Sequence, residues 1–304
     1  MVPGTARPTV TSLLSPLRLV AGPKALLVYT GRQDGLGNRV RALLSAQVLA
    51  EREGRELLYV WGTDRYFGPA MDELWHFSAG SRVPRWASRA VSPIHRFYGP
   101  GATTITGSMR GERLWQIRSG GQPITWDADM RPWTEEFRAL TPVDAIAERV
   151  GRVFDDSLRG RRYVGVQVRS HAVSHAKTLQ SSPVEWFEQR MRAVRGRFPD
   201  VGFYLSCDTT EAQEHLMSRF GGCVALSDKG GYNTTAGVRS AIVDLYLLAS
   251  SQHFIAPAYS SFPELAIHLA NHAMTFERPD QPLVEELRLG SGLVRDPLRP
   301  ALRS

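Results

Sequence analysis

The chain has 304 residues, long for one hydrophobic core and comfortable for two domains. Its 42% hydrophobic and 22% charged content is that of an ordinary globular protein and excludes fibrous and low-complexity classes. The formal net charge of +7 rests on arginine, since only Lys24, Lys177 and Lys229 among 37 basic residues are lysines. These cations are spread along the chain, which argues against nucleic-acid binding and leaves a local anion site open. Two cysteines, Cys207 and Cys223, make no disulfide framework, so a reducing, cytoplasmic setting is expected. Residues 9–21 are broken by Pro16 and Arg18 and do not read as a secretory signal. No run reaches the roughly 18 apolar residues of a membrane helix, so no membrane partner is expected.

Taken in order, residues 1–22 read as an irregular arm, and Ala25 to Thr30 as a first strand. The turn Gly31 to Gly37 leads to a helix from about Asn38. Its apolar face carries Leu43, Leu44, Ala46, Val48 and Leu49, and it ends before Gly54. Leu57 to Trp61 is a second strand, giving a βαβ unit and hence a parallel sheet. Residues 62–135 hold five of the seven tryptophans and little periodicity; loops and short helices are expected there, as an acceptor-facing surface. Pro142 to Leu158 has helical spacing, and Arg159 to Arg162 is a candidate junction. Strands at 164–168, 201–207, 223–226 and 253–256 then alternate with helices at 183–197, 210–220, 238–249 and 263–273, a second doubly wound domain. The expected division is 1–158, 159–276 and a tail, 277–304, that packs back on the first domain. The fold class is α/β, with two Rossmann-like doubly wound domains.

The run Tyr163 to Ser170 organises the second half. It is β-branched at alternate positions and reads as a strand buried on both faces, whose C-terminal end delivers Gln167 and Arg169 to a ligand crevice. An arginine at that edge is a bidentate phosphate ligand by geometry, or else a surface cation. Gly35-Leu-Gly37-Asn-Arg39 lies between strand and helix, where glycines let backbone N–H groups approach a phosphate. A nicotinamide fingerprint would want a small residue in place of Val40. Asp208 ends its strand where a carboxylate caps the next helix. Asp244 falls inside an apolar helix and must be paired, by an arginine or by the N–H groups of the 259–262 turn. Ser260 and Ser261, ahead of Pro263, form a small anion nest. Asp127 and Asp129 match a metal-binding Asp-x-Asp by three residues only. His268 and His272 lack the glutamate of a zinc motif, and Cys207 reads as a buried, inert thiol.

Val164-Gly-Val-Gln-Val-Arg169, Phe203-Tyr-Leu-Ser-Cys-Asp208, Val238-Arg-Ser-Ala-Ile-Val-Asp244 and Tyr259-Ser-Ser-Phe262 resemble, in order and spacing, the motifs of the GDP-fucose transferase superfamily. That superfamily includes nodulation, core α1,6- and protein O-fucosyltransferases. The resemblance covers about residues 25–60 and 163–272. It implies a GT-B-like pair of domains facing a central cleft, and inverting, metal-independent transfer from a GDP-sugar donor to a small-molecule acceptor without a cofactor. It implies that Arg169 holds the β-phosphate and that Asn38 faces the pyrophosphate or sugar. Asp208 and Asp244 would be the guanosine-side and structural carboxylates, and Ser260, Ser261 and Phe262 the phosphate- and base-contacting turn. Gly35, Gly37, Arg39 and Arg239 complete the expected nucleotide-sugar set; Arg169, Gln167 and His171 form the catalytic set. The chain departs from the family in having Gln167 where histidine is usual and Ser170 where core enzymes carry a second arginine. The base is thereby open among His171, His175, Asp34 and Asp64, and a thiolate acceptor would need none. Antibiotic-pathway enzymes that resemble this family join a GDP-sugar to a small thiol such as ergothioneine, and an actinobacterial member of that kind is the expectation; the alternatives are a fucosyltransferase acting on a saccharide hydroxyl and a catalytically silent nucleotide-sugar-binding protein. A homodimer is compatible with the sequence.

Overall fold

The computed structural model describes residues 19, 22–101, 109–125, 128–174, 176–283, 287–289 and 292–303. The chain forms two compact units, each on its own five-stranded, all-parallel sheet.

The first unit comprises Met1–Asp34, Asn38–Gly62 and Ser78–Trp133. Its strands are β1 (Ala25–Tyr29), β2 (Glu56–Val60), β3 (Gly80–Arg82), β4 (Phe97–Tyr98) and β5 (Leu114–Arg118), in the order β3-β2-β1-β5-β4. Helix α1 (Leu36–Arg52) joins β1 to β2, and α2 (Arg85–Val91) follows β3. The expectation of loops over 62–135 is corrected here, because three strands come from that stretch. β5 even lies beside β1 at the centre of the sheet. Its sequence, Leu-Trp-Gln-Ile-Arg, hides a glutamine in a fully buried position. Gln116 is 0% exposed, and its Oε1 accepts a 2.9 Å bond from Ser88 Oγ. A buried amide with a partner is tolerated in a central strand as an unpaired one would not be.

The second unit comprises Gly35–Gly37, Thr63–Phe77 and Thr134–Ser304. Its strands β6 (Tyr163–Val168), β7 (Gly202–Cys207), β8 (Cys223–Ala225), β9 (His253–Ile255) and β10 (Thr275–Glu277) run in the order β10-β9-β6-β7-β8. The helices are α3 (Trp133–Ala139), α4 (Asp144–Val153, extended by a π turn over Phe154–Leu158), α5 (Ala176–Ser181), α6 (Val184–Arg197), α7 (Thr210–Arg219), α8 (Thr235–Ala249) and α9 (Ser261–Leu269). Residues 63–77 and 134–158 group with this unit rather than the first. Trp75 Nε1 donates to the Tyr246 hydroxyl on α8, and Arg149 Nη1 donates to Ser240 Oγ on the same helix. The described tail, expected against the first domain, holds to this unit instead: β10 pairs with β9, and Arg303 donates to the carbonyls of Ser251 and Ala249.

The period of two in β6 and β7 sets their faces. Val164, Val166, Val168, Phe203, Leu205 and Cys207 pack with Phe187, Met191 and Val194 of α6 and Ala212 and Leu216 of α7. The opposite face meets α8. A Cβ on Gly165 would stand 3.0 Å from Leu248 Cδ2, so the glycine lets the helix lie close without displacing that side chain. Tyr163, Gly165, Gln167 and Arg169 therefore share the α8 side, and Gln167 pairs in register with Ser206.

Candidate functional site

The second sheet reverses its winding between β6 and β9, and the crevice outside the C-terminal ends of those strands is where such sheets bind ligands. A cavity of about 290 Å³ lies there, within the second unit. It is lined by Gly35 to Gly37, Gln167 to Arg169, Asp208, Lys229 to Asn233, Asp244 and the 259–262 turn. A larger cavity of about 850 Å³ opens at the opposite, N-terminal ends of β6 to β8. That end does not gather strand-terminal loops at a reversal of winding, so the smaller cavity is the candidate site.

Arg169 is fixed from one side only. Its Nε pairs with Asp208 Oδ2 at 3.1 Å, and Nη2 donates to Tyr232 Oη at 3.0 Å and Ser174 Oγ at 3.3 Å. Nη1 has no partner among the described residues. Asp208 in turn accepts the N–H groups of Ser170 and His171 at 2.8 and 3.1 Å. It therefore anchors the cation and the loop after β6, and the cap of α7 falls to Thr209, whose Oγ1 accepts from Ala212 N. The result is a guanidinium held in orientation with its Nη1 group left over, a charged donor suited to an anion.

Asp244 is 4% exposed, as its place in an apolar helix implied, but its partners differ from those expected. Tyr204 Oη and Ser206 Oγ donate to it at 2.6 and 2.8 Å, and Lys229 Nζ lies 3.3 Å away. Tyr204 and Ser206 are two apart on β7 and so face α8 together; that spacing was readable, the lysine's role was not. Burial first, then the Asp244 charge, push the Tyr204 phenol well above its ordinary range, so it remains a donor. Burial likewise pushes the Cys207 thiol up to about 12, although Lys229 opposes this, and the thiol is inert near neutrality.

Two helix starts meet at the cavity. A Cβ on Gly37 would stand 2.6 Å from Ser261 Oγ and 2.8 Å from Ser261 O, so glycine is required where the first turn of α1 touches that of α9. Nothing lies within 4 Å of a Cβ on Gly35. Ser260 is extended and its side chain caps no N–H. Pro263 sits within the first turn of α9, where no intrahelical donor is lost. Tyr259 ahead of it has φ +55, an uncommon backbone state for a non-glycine residue. The turn is held by Thr178 Oγ1 on the Tyr259 carbonyl and by Ser182 Oγ, which accepts from Ala258 N. The first N–H groups of both helices thus form the electropositive part of the wall.

The other expected site residues divide between the cavity wall and its surroundings. In the first unit Arg39 is 0% exposed; its guanidinium donates to the carbonyls of Asp34, Gly62 and Arg32 and lies over Trp61. It builds the turn that holds α1 in place. Asn38 Oδ1 accepts from Arg41, and its side chain abuts Gly121. Arg239 pairs with Glu73 at 3.6 Å on the surface and does not line the cavity. His171 stacks on Tyr232 at 4.7 Å, and its Nδ1 accepts from Val173 N. Asp34 and Asp64 accept from turn amides of Gly31 and Tyr66. Gln167 is 4% exposed, lines the cavity, and its Oε1 has no hydrogen-bond partner among the described residues. Asp127 and His175 lie outside the described residues. His268 and His272 meet edge to face, and no cluster of metal-ligating side chains occurs among the described residues. Nor is any described helix long and apolar enough to cross a membrane.

No family model matches the chain, and no curated protein matches it in sequence. Solved structures match in fold. NodZ, an α-1,6-fucosyltransferase known from Bradyrhizobium, was solved after soaking with GDP-fucose; it is 19% identical, with a TM-score of 0.55 over 81% of this chain and 92% of that one. The chain has the α/β fold of a GT-B fucosyltransferase. A substituted Arabidopsis thaliana FUT1 in complex with GDP is 12% identical, with a TM-score of 0.56 over 86% of this chain and 72% of that one. POFUT1 in complex with GDP-fucose is 11% identical, with a TM-score of 0.55 over 86% and 99%. At such identities the GT-B likeness is one of fold.

Proposed function

We propose that the chain is a glycosyltransferase that moves a sugar from a GDP-sugar to a small-molecule acceptor with inversion at C1. The observation that carries this reading is the Arg169 guanidinium, held by Asp208 with Nη1 unpartnered, beside two converging helix starts in one cavity. The solved structures of like fold that were determined with GDP or GDP-fucose support it. The cavity volume is near the lower end of ligand pockets, about 300 to 1,000 Å³, and suits the nucleotide half of the donor.

In this mechanism the C1–O bond to the β-phosphate breaks as the acceptor attacks C1 from the opposite face. Negative charge grows on the leaving phosphate oxygen. Arg169 and the N–H groups at the starts of α1 and α9 stand ready to meet it, so stabilisation needs little reorganisation. These groups supply the positive charge a metal supplies elsewhere, and the reading is of a metal-independent transfer. The two free thiols suit a reducing, cytoplasmic setting.

A specific feature favours a thiol acceptor, as in antibiotic biosynthesis. Asp208 and Asp244 are both engaged by donors and cations, so neither carboxylate of the cavity is poised as a base. A thiolate attacks without one. The test is GDP release from GDP-fucose, GDP-mannose and GDP-glucose by purified protein with thiol and hydroxyl acceptors, beside UDP-sugar controls. GDP release coupled to acceptor glycosylation is expected, unaffected by EDTA and fastest with thiols. Release from UDP-sugars alone, or from none, would end the reading.

A further inference from the structure

The first unit has its own reversal of winding, between β1 and β5, and the last residues of those strands are Tyr29 and Arg118, partners in register. The crevice outside them is a ligand position on the same topological ground as in the second unit. Two cations share it. The Arg118 guanidinium lies 5.2 Å from the Tyr29 ring centroid and 4.4 Å from that of Phe97, while Arg85 lies 5.6 Å from the same Tyr29 ring. Tyr29 is 6% exposed and is itself fixed edge-on by Phe97 at 5.7 Å, so the platform is rigid. Among the described residues no carboxylate pairs with either arginine. Asp34, on the loop after β1, is taken up by the Gly31 N–H.

Two like charges on one ring with no counter-ion repel each other, and the arrangement improves when an anion bridges them. Ring contact engages the faces of a guanidinium and leaves its in-plane N–H groups for a carboxylate or phosphate. We propose that this crevice binds the anionic group of the acceptor, a carboxylate or a phosphate, through Arg118 and Arg85. The word "acceptor" rests on the glycosyltransferase reading; the anion site rests on the first unit alone. The acceptor is then an acidic small molecule, oriented by a bidentate contact that a neutral sugar hydroxyl does not make.

The test uses the full chain labelled with 15N-arginine. Nε–H resonances are assigned with Arg118→Gln and Arg85→Gln and titrated with acetate and, separately, with inorganic phosphate at constant ionic strength. Saturable shifts of the Arg118 and Arg85 signals are expected, with the Arg118 midpoint weakened at least fivefold by Arg85→Gln. The anion with the lower midpoint identifies the group. Non-saturating drift with both anions, or a midpoint at Arg118 unchanged by Arg85→Gln, would overturn the proposal. A GDP titration of the same samples reads the nucleotide site by itself, so an acid site without GDP binding would fault the enzyme reading and leave this one standing.

Discussion

Replacing Arg169 separates charge from geometry. In the structure its Nε is committed to Asp208, Nη2 to two neutral hydroxyls, and Nη1 to no described residue. One charge-assisted hydrogen bond to the leaving phosphate contributes about 1.5 to 3 kcal/mol. At about 1.4 kcal/mol per decade, Arg169→Ala should lower kcat by roughly ten- to over a hundredfold. Arg169→Lys keeps the charge and loses the fork, and should fall between wild type and alanine. The substitution also strips Asp208 of its cation. That pair is partly solvated, with Arg169 at 24% and Asp208 at 13% side-chain exposure, so the stability cost is about 1 kcal/mol. The assay is single-turnover GDP release with saturating donor, with thermal unfolding of each variant alongside. A folded Arg169→Ala protein with near-normal kcat would refute the assigned role.

Gly37→Ala drives a methyl group into Ser261 Oγ and backbone and should cost about 1 to 3 kcal/mol of stability. It should also weaken GDP binding, because the two helix starts are pushed apart; thermal unfolding checks the first part and calorimetry of GDP binding the second, each beside a Gly35→Ala control, which meets open space. Asp244→Asn leaves Lys229 without its counter-charge and should destabilise by about 3 kcal/mol, the low end for breaking a buried pair. Differential scanning calorimetry should register a Tm drop on the order of 10 °C. Glu277 is opposed by burial, yet hydrogen bonds from His253 and Arg190 hold its carboxyl below the ordinary 4.5. A depressed folded-state value adds stability above pH 4.5 that is lost as the pH falls through it. The Tm gap between wild type and Glu277→Gln should therefore be full at pH 7 and shrink on acidification below 4.5; a gap that widens there would contradict the pairing.

The parts of the fold that announced themselves were long and periodic. β1, α1 and β2, and then β6 to β9 with their helices, show uninterrupted apolar spacing, and their alternation dictates parallel sheets. β5 was hidden because Gln116 and Arg118 break its hydrophobic reading, and the glutamine's partners are distant in sequence. β10 was hidden because three residues ending in a buried glutamate look like tail; only His253 and Arg190 make that glutamate tolerable. Arg169 was visible from its place at a strand end. Arg39 was visible too, but the turn glycines around it suggest a ligand contact, whereas its guanidinium donates to the carbonyls of Arg32 and Asp34 in the turn and of Gly62 after β2. Asp244 was visible as a buried carboxylate, and Tyr204 and Ser206 could have been paired to it by their period-two spacing. Lys229 could not, since it follows β8 in a loop whose course depends on Gly230 at φ +73.

The central claim is that the cavity beside Arg169 takes a guanosine diphosphate. Thermal shifts of the purified protein with GDP, UDP, ADP, dTDP and NAD test it directly. At a hundred times its Kd a ligand stabilises by about 2.7 kcal/mol, which for a chain of this size raises Tm by several degrees, roughly 2 to 4 °C per kcal/mol. GDP should give that shift in wild type and lose most of it in Arg169→Ala. A shift with NAD alone, or a GDP shift untouched by the loss of Arg169, would contradict the account.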